Sequence, residues 1–173
     1  MPTSANPLGE PEERPGLCLL VVEDDEADAY LIGRTLADNP KVGRIVHAWD
    51  GVEALQMVER GEVAPDLAFI DLHMPRMGGL DLLVALTGRA ADAGFPMVVL
   101  TSSSAPADAI RSKLRSATRV VTKPRTVMEL YAVLTTTIEA VCPSGPGVAH
   151  DRPNKAPGYL KMANPRGVRR GPS

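Results

Sequence analysis

The sequence predicts an α/β fold: a parallel sheet of five strands covered by helices on both faces. Three observations predict it. Short apolar runs alternate with amphipathic segments five times along the chain, and strand-then-helix repetition builds a parallel sheet. LCLLVV at 17–22 is apolar throughout, as a strand buried on both faces should be. Hydrophobic residues make up 44% and charged ones 23%, which is ordinary globular usage. Aromatics reach only 3%, so Leu, Val, Ile, Ala and Met must fill the core.

In chain order, residues 1–16 (MPTSANPLGEPEERPG) hold four prolines and little to bury, and a disordered lead-in is expected. The first strand is 17–22. EDDEADAYLIGRTLADNP follows as a helix, with Ala27, Leu31 and Leu36 facing the core and Asn39-Pro40 ending it. VGRIVHA (42–48) reads as a strand. Residues 50–61 form a helix with Val52, Leu55 and Val58 or Met57 inward, and Gly61 as C-cap. DLAFI (66–70) is the third strand and GLDLLVALTGR (79–89) the third helix. FPMVVLT (95–101) is the fourth strand, and 106–114, opening on a first-turn proline, the fourth helix. TRVVT (118–122) is the fifth strand. The fifth helix, 126–141, has a stripe at Val127, Leu130, Tyr131, Leu134, Ile138 and Val141. Residues 143–173 are rich in Pro and Gly without period, as in a flexible tail. The chain thus divides into a lead-in (1–16), one folded domain (17–142) and a tail (143–173).

No apolar run approaches the roughly 18 residues that span a membrane, and no secretory signal is visible. Cys18 and Cys142 have no metal-ligand spacing. Cys18 reads as a small core residue, and a reduced, cytoplasmic setting is expected. In the tail six basic residues face one acid, Asp151. That puts the tail at +5 and, from the net −2 of the chain, the rest at −7. A solvated extension is the plain reading of this tail; tethering to an anionic surface, through Arg166, Arg169 and Arg170 beside Tyr159-Leu160, is the sharper one. No G-x-G-x-x-G or G-K-[ST] follows the first strand, which argues against nucleotide binding.

Open parallel sheets bind ligands beyond the carboxyl ends of their strands. Strand one ends in Glu23, Asp24 and Asp25; strand three in Asp71; strand four in Thr101, Ser102 and Ser103; strand five in Lys123-Pro124. Several carboxylates, a hydroxyl and an ammonium would therefore meet at one edge. Crowded carboxylates repel, and a hard cation relieves them; oxygen-only ligands in a hydrated site suit Mg²⁺. Lys123 and Thr101 could hold the oxygens of an anion on Asp71, the equipment for phosphoryl transfer to an aspartate. Taken singly, each piece has a plainer reading as a turn former, a helix cap or a loop. Their common position at strand ends makes the combination specific.

VVEDDE (21–26), FIDLHMPRMGGLDLL (69–83), VVLTSSS (98–104) and VVTKP (120–124) together resemble the receiver domains of two-component response regulators, over about residues 17–141. The resemblance implies the flavodoxin-like strand order 2-1-3-4-5. It implies that Asp71 is the phosphoacceptor, charged by a histidine of a sensor histidine kinase. Asp24 would ligate Mg²⁺ directly, Glu23 through water, and His73 through its backbone carbonyl. Thr101 would hydrogen-bond the phosphoryl group, and Lys123 would pair with it ahead of a cis bond to Pro124. The aromatic that receivers commonly carry three residues before this lysine is Val120 here, which argues against an aromatic switch. FIDLHMPRMGG and the long last helix are similar to single-domain regulators partnered with bacteriophytochrome-type kinases.

The tail is too short for a winged helix with a core, so no DNA-binding domain is expected. The expected function is a stand-alone receiver that relays its signal by protein contact or onward phosphotransfer, to a downstream protein the sequence does not name. It is a switch rather than an enzyme; any autophosphatase activity would belong to the switch. A second copy could dock on the face of the fourth helix, fifth strand and fifth helix. The alternative is a receiver-shaped scaffold that is never phosphorylated. A hydrolase of the haloacid-dehalogenase type would need an aspartate where His73 stands.

Overall fold

The computed structural model describes residues 16–90, 95–102 and 119–143. The expected fourth helix (106–114), residues 1–15 of the lead-in and nearly all of the tail lie outside them. The described elements are β1 (Leu17–Val22), α1 (Glu26–Ala37), β2 (Val42–Ala48), α2 (Gly51–Glu59), β3 (Leu67–Asp71), α3 (Gly79–Ala90), β4 (Met97–Thr101), β5 (Arg119–Thr122) and α4 (Val127–Val141).

All four strand pairings are parallel, and the order is β2-β1-β3-β4-β5. This is the expected five-stranded sheet. Alternate side chains of β1 serve opposite faces, as the two-residue period of a strand requires. Leu17, Leu19 and Val21 join Ile32, Leu36 and Leu134 in one core layer. Leu20 and Val22 join Ala54, Leu82 and Leu86 in the other. Helices α1 and α4 pack together, as do α2 and α3.

The helices start where side chains replace missing backbone partners. Asp25, Asp50 and Thr126 are N-caps, accepting from Asp28, from Val52 and Glu53, and from Glu129 respectively. Each such cap contributes about 1 kcal/mol. Gly61, just past the Arg60 cap, has φ of 67° and ends α2 as expected.

Helix faces depart from the sequence reading. In α1 the buried stripe is Ala29, Ile32, Gly33, Thr35 and Leu36; Ala27 and Leu31, expected to face the core, are exposed. Two stripes were possible there, and the one chosen turns Asp28 toward the carboxyl edge of the sheet. In α2 the small Ala54 is the buried contact, with Leu55, Met57 and Val58 half-buried beside it. In α4 Leu130, Leu134 and Ile138 are buried as expected. Thr137 joins them, while Val127 and Tyr131 are exposed. Cys18 and Cys142 are both half-buried, so Cys18 is not a full core residue.

Strand bounds also shift slightly. Asp66 stays outside β3, where its N–H donates to the Cys18 carbonyl and its carboxylate accepts from the Cys18 N–H. Pro96 has no N–H to give a ladder, and β4 begins one residue later.

Candidate functional site

The order of the sheet reverses between β1 and β3. That is where an open α/β sheet leaves a crevice, and the two strands end there in acids. Glu23 and Asp71 are 2% and 4% exposed, whereas Asp24 faces solvent. One carboxylate oxygen from each of Glu23, Asp24 and Asp71 lies within 4.8 Å of the others. Three oxygen donors of this kind, with one side open, fit a hard divalent cation such as Mg²⁺.

Lys123 closes the site from β5. Its Nζ donates to Glu23 Oε2 at 2.6 Å and to Asp28 Oδ2 at 2.9 Å, and lies 2.9 Å from Asp71 Oδ1. Its backbone N–H donates to the Thr101 carbonyl at 2.8 Å, which ties the β5 exit to β4. Thr101 itself is 2% exposed at the end of β4. One ammonium shared among three carboxylates leaves the site net negative.

Burial drives Glu23 up to about 7, helped by the nearby charge of Asp71, with Lys123 opposing. Burial works against the Lys123 charge, but the hydrogen bonds it donates to Glu23, Asp71 and Asp28 prevail and hold it above the usual lysine range. Burial also lowers His47, whose ring meets the Glu23 carbonyl.

The loop behind Asp71 is fixed from several sides. The His73 N–H donates to Asp71 Oδ2 at 2.6 Å, so both carboxylate oxygens have a partner. The His73 side chain is exposed. Arg76, at φ 63°, pairs with Asp50 at the start of α2. Gly51 N–H donates to the Met77 carbonyl at 3.2 Å, and Gly79 N–H to that of Leu72 at 3.1 Å. At Gly79 a Cβ would stand 2.2 Å from the Asp71 carbonyl oxygen. Only glycine lets α3 begin this close to the end of β3.

The structure thus brings Glu23, Asp24, Asp71, Thr101 and Lys123 to one edge, with His73 beside them. One expectation fails: no cis peptide occurs among the described residues, so Lys123-Pro124 is trans, the form an X–Pro bond prefers by about 0.5–1 kcal/mol. Val120 is half-buried against the α2/α3 layer. Two residues escaped the sequence reading. Asp28 reaches Lys123 across 95 positions, and only its place on the first turn of α1 hinted at this. His47 left no signal at all.

Comparison with known proteins decides the family. The model of the response regulator receiver domain matches residues 19–135. The chain belongs to the response regulator receiver domain family.

This receiver is 33% identical over 114 residues to the response regulator MprA of Mycobacterium tuberculosis, covering 66% of the receiver chain and 47% of MprA. It spans about half the length of such curated relatives. Among solved structures it resembles the phosphorylated cyanobacterial phytochrome response regulator RcpA. The TM-score is 0.64 at 28% identity, over 73% of this chain and 94% of that one. It is also similar to the Mn²⁺-bound form of response regulator Rcp1, with a TM-score of 0.61 at 26% identity, over 71% and 92% of the two chains. No helix among the described residues is long and apolar enough to cross a membrane.

Proposed function

We propose that this receiver takes a phosphoryl group onto Asp71 from a phosphohistidine of a sensor histidine kinase. The observation that carries the reading is the convergence of Glu23, Asp24 and Asp71, with the Lys123 ammonium 2.9 Å from Asp71. An Asp71 carboxylate oxygen forms the new P–O bond as the P–N bond to the kinase histidine breaks, and the leaving imidazole takes a proton. Lys123 and Thr101 hold the phosphoryl oxygens as charge spreads over them. Asp24 and Asp71 would hold Mg²⁺ directly, Glu23 through water and His73 through its backbone carbonyl. The bound cation supplies charge neutralisation between carboxylate and phosphoryl oxygens.

The folded unit is proposed to be 17–142, acting in the cytoplasm as a stand-alone receiver that hands its signal on by protein contact or phosphotransfer. The match to RcpA and Rcp1 over almost their whole chains supports the bounds of the folded unit. RcpA, a phytochrome response regulator, also supports a phytochrome-type kinase as partner. A homodimer would use α4 and β5 with the expected fourth helix; Val127, Met128 and Tyr131 are the exposed apolar residues of its described part. With Val120 in place of an aromatic, the signal would leave through Thr101 and the expected fourth helix.

The test is intact mass after incubation with a small phosphodonor and Mg²⁺. We expect one phosphoryl adduct that needs Mg²⁺ and is absent from Asp71→Asn. No adduct, and no capture of a stable phosphoryl mimic, would leave the scaffold reading in its place.

A further inference from the structure

His47 is the next-to-last residue of β2 and is 5% exposed. Its Nε2 lies 2.8 Å from the Glu23 carbonyl oxygen. A carbonyl can only accept, so Nε2 carries the proton and donates. That leaves Nδ1 as the bare nitrogen; it is buried and has no hydrogen-bond partner among the described residues. The ring stands edge-on to Trp49, with centroids 4.4 Å apart and planes at 83°. This contact restrains the direction in which Nε2 points.

The ladder between β1 and β2 ends at the pair Val22 and Ala48. One residue on, the Glu23 N–H donates to the Ala48 carbonyl at 3.0 Å. Both backbone groups of Glu23 are therefore gripped from the end of β2, the N–H by main chain and the C=O by the imidazole. The Glu23 carbonyl shares a rigid peptide plane with the Asp24 nitrogen. Holding that carbonyl sets the direction in which Asp24 leaves the strand.

An apolar ring could fill the same space without burying a bare nitrogen. What it would lack is the donor. We propose that His47 is a positioning residue of the cation site, its Nε2–H orienting the Glu23–Asp24 peptide so that both carboxylates converge with Asp71. The proposal rests on reading Glu23, Asp24 and Asp71 as that site. Groups that orient ligands from behind commonly change metal affinity about 10- to 100-fold when removed.

The test is a Mg²⁺ titration of the full chain, followed through the amide resonances of Glu23 and Asp24, with His47→Phe, His47→Asn and His47→Gln. A glutamine amide extends about as far from the backbone as Nε2, and an asparagine amide falls one carbon short. His47→Phe and His47→Asn should weaken Mg²⁺ binding about tenfold, and His47→Gln by no more than about threefold. If His47→Phe does not fold, the Asn and Gln pair decides. Wild-type affinity in the Phe or Asn variant overturns the proposal. So does equal weakening in all variants, which would mark the ring's packing rather than its donor. A wild-type chain that binds no Mg²⁺ fails earlier, and overturns the cation site itself.

Discussion

Glu23 carries two opposing demands. It must be buried to sit beneath Lys123, and burial resists its charge. Its carboxyl is lifted from 4.5 to about 7 in the fold, so the folded chain binds this proton more tightly than the unfolded one. By linkage, the contribution is fully present below about 4.5 and is lost as pH rises through about 7. In Mg²⁺-free buffer, denaturant unfolding of the wild type should therefore lose stability across that window relative to Glu23→Gln. Identical pH slopes for the two would overturn this. Most of the site was legible because its members end strands and a strand end has a known place. Asp28 and His47 were not, because each acts across a tertiary contact that no local spacing encodes.

Elements place these residues through close approaches. Gly79 lets the first turn of α3 lie against the Asp71 carbonyl, 2.2 Å from where a Cβ would stand. Gly79→Ala must push two backbones apart, at about 1–3 kcal/mol. Because the displaced group belongs to Asp71, phosphodonor uptake should fall as well. Unchanged uptake in a folded Gly79→Ala would show that the strand end tolerates movement. At the other side, Thr126→Ala removes the α4 cap, costing about 1 kcal/mol by denaturation while leaving uptake near wild type. The strands and helices of the described chain were readable from apolar runs and caps. Helix faces were less so: α1 offered Ala27 and Leu31 beside Ala29, Ile32 and Leu36, and only packing against β1 and α4 chose between them.

At the scale of the molecule, the carboxyl edge joins segments from both ends of the folded unit. Lys123 meets Glu23 across 100 positions, so a ligand at this edge draws β1, β3 and β5 together. A cation bound only by the folded chain stabilises it by mass action, about 1.4 kcal/mol at ten times its dissociation constant. Mg²⁺ should accordingly raise Tm by several degrees, and Asp24→Asn should abolish most of the rise. An equal rise in the variant would place the cation elsewhere.

The chain has a single tryptophan, and it is the ring against which His47 leans. One imidazole therefore separates the only strong natural fluorophore from the backbone of Glu23. The protein carries its own optical gauge at the mouth of the sheet, with no competing indole elsewhere, and events at the acid cluster can be timed without attaching a dye.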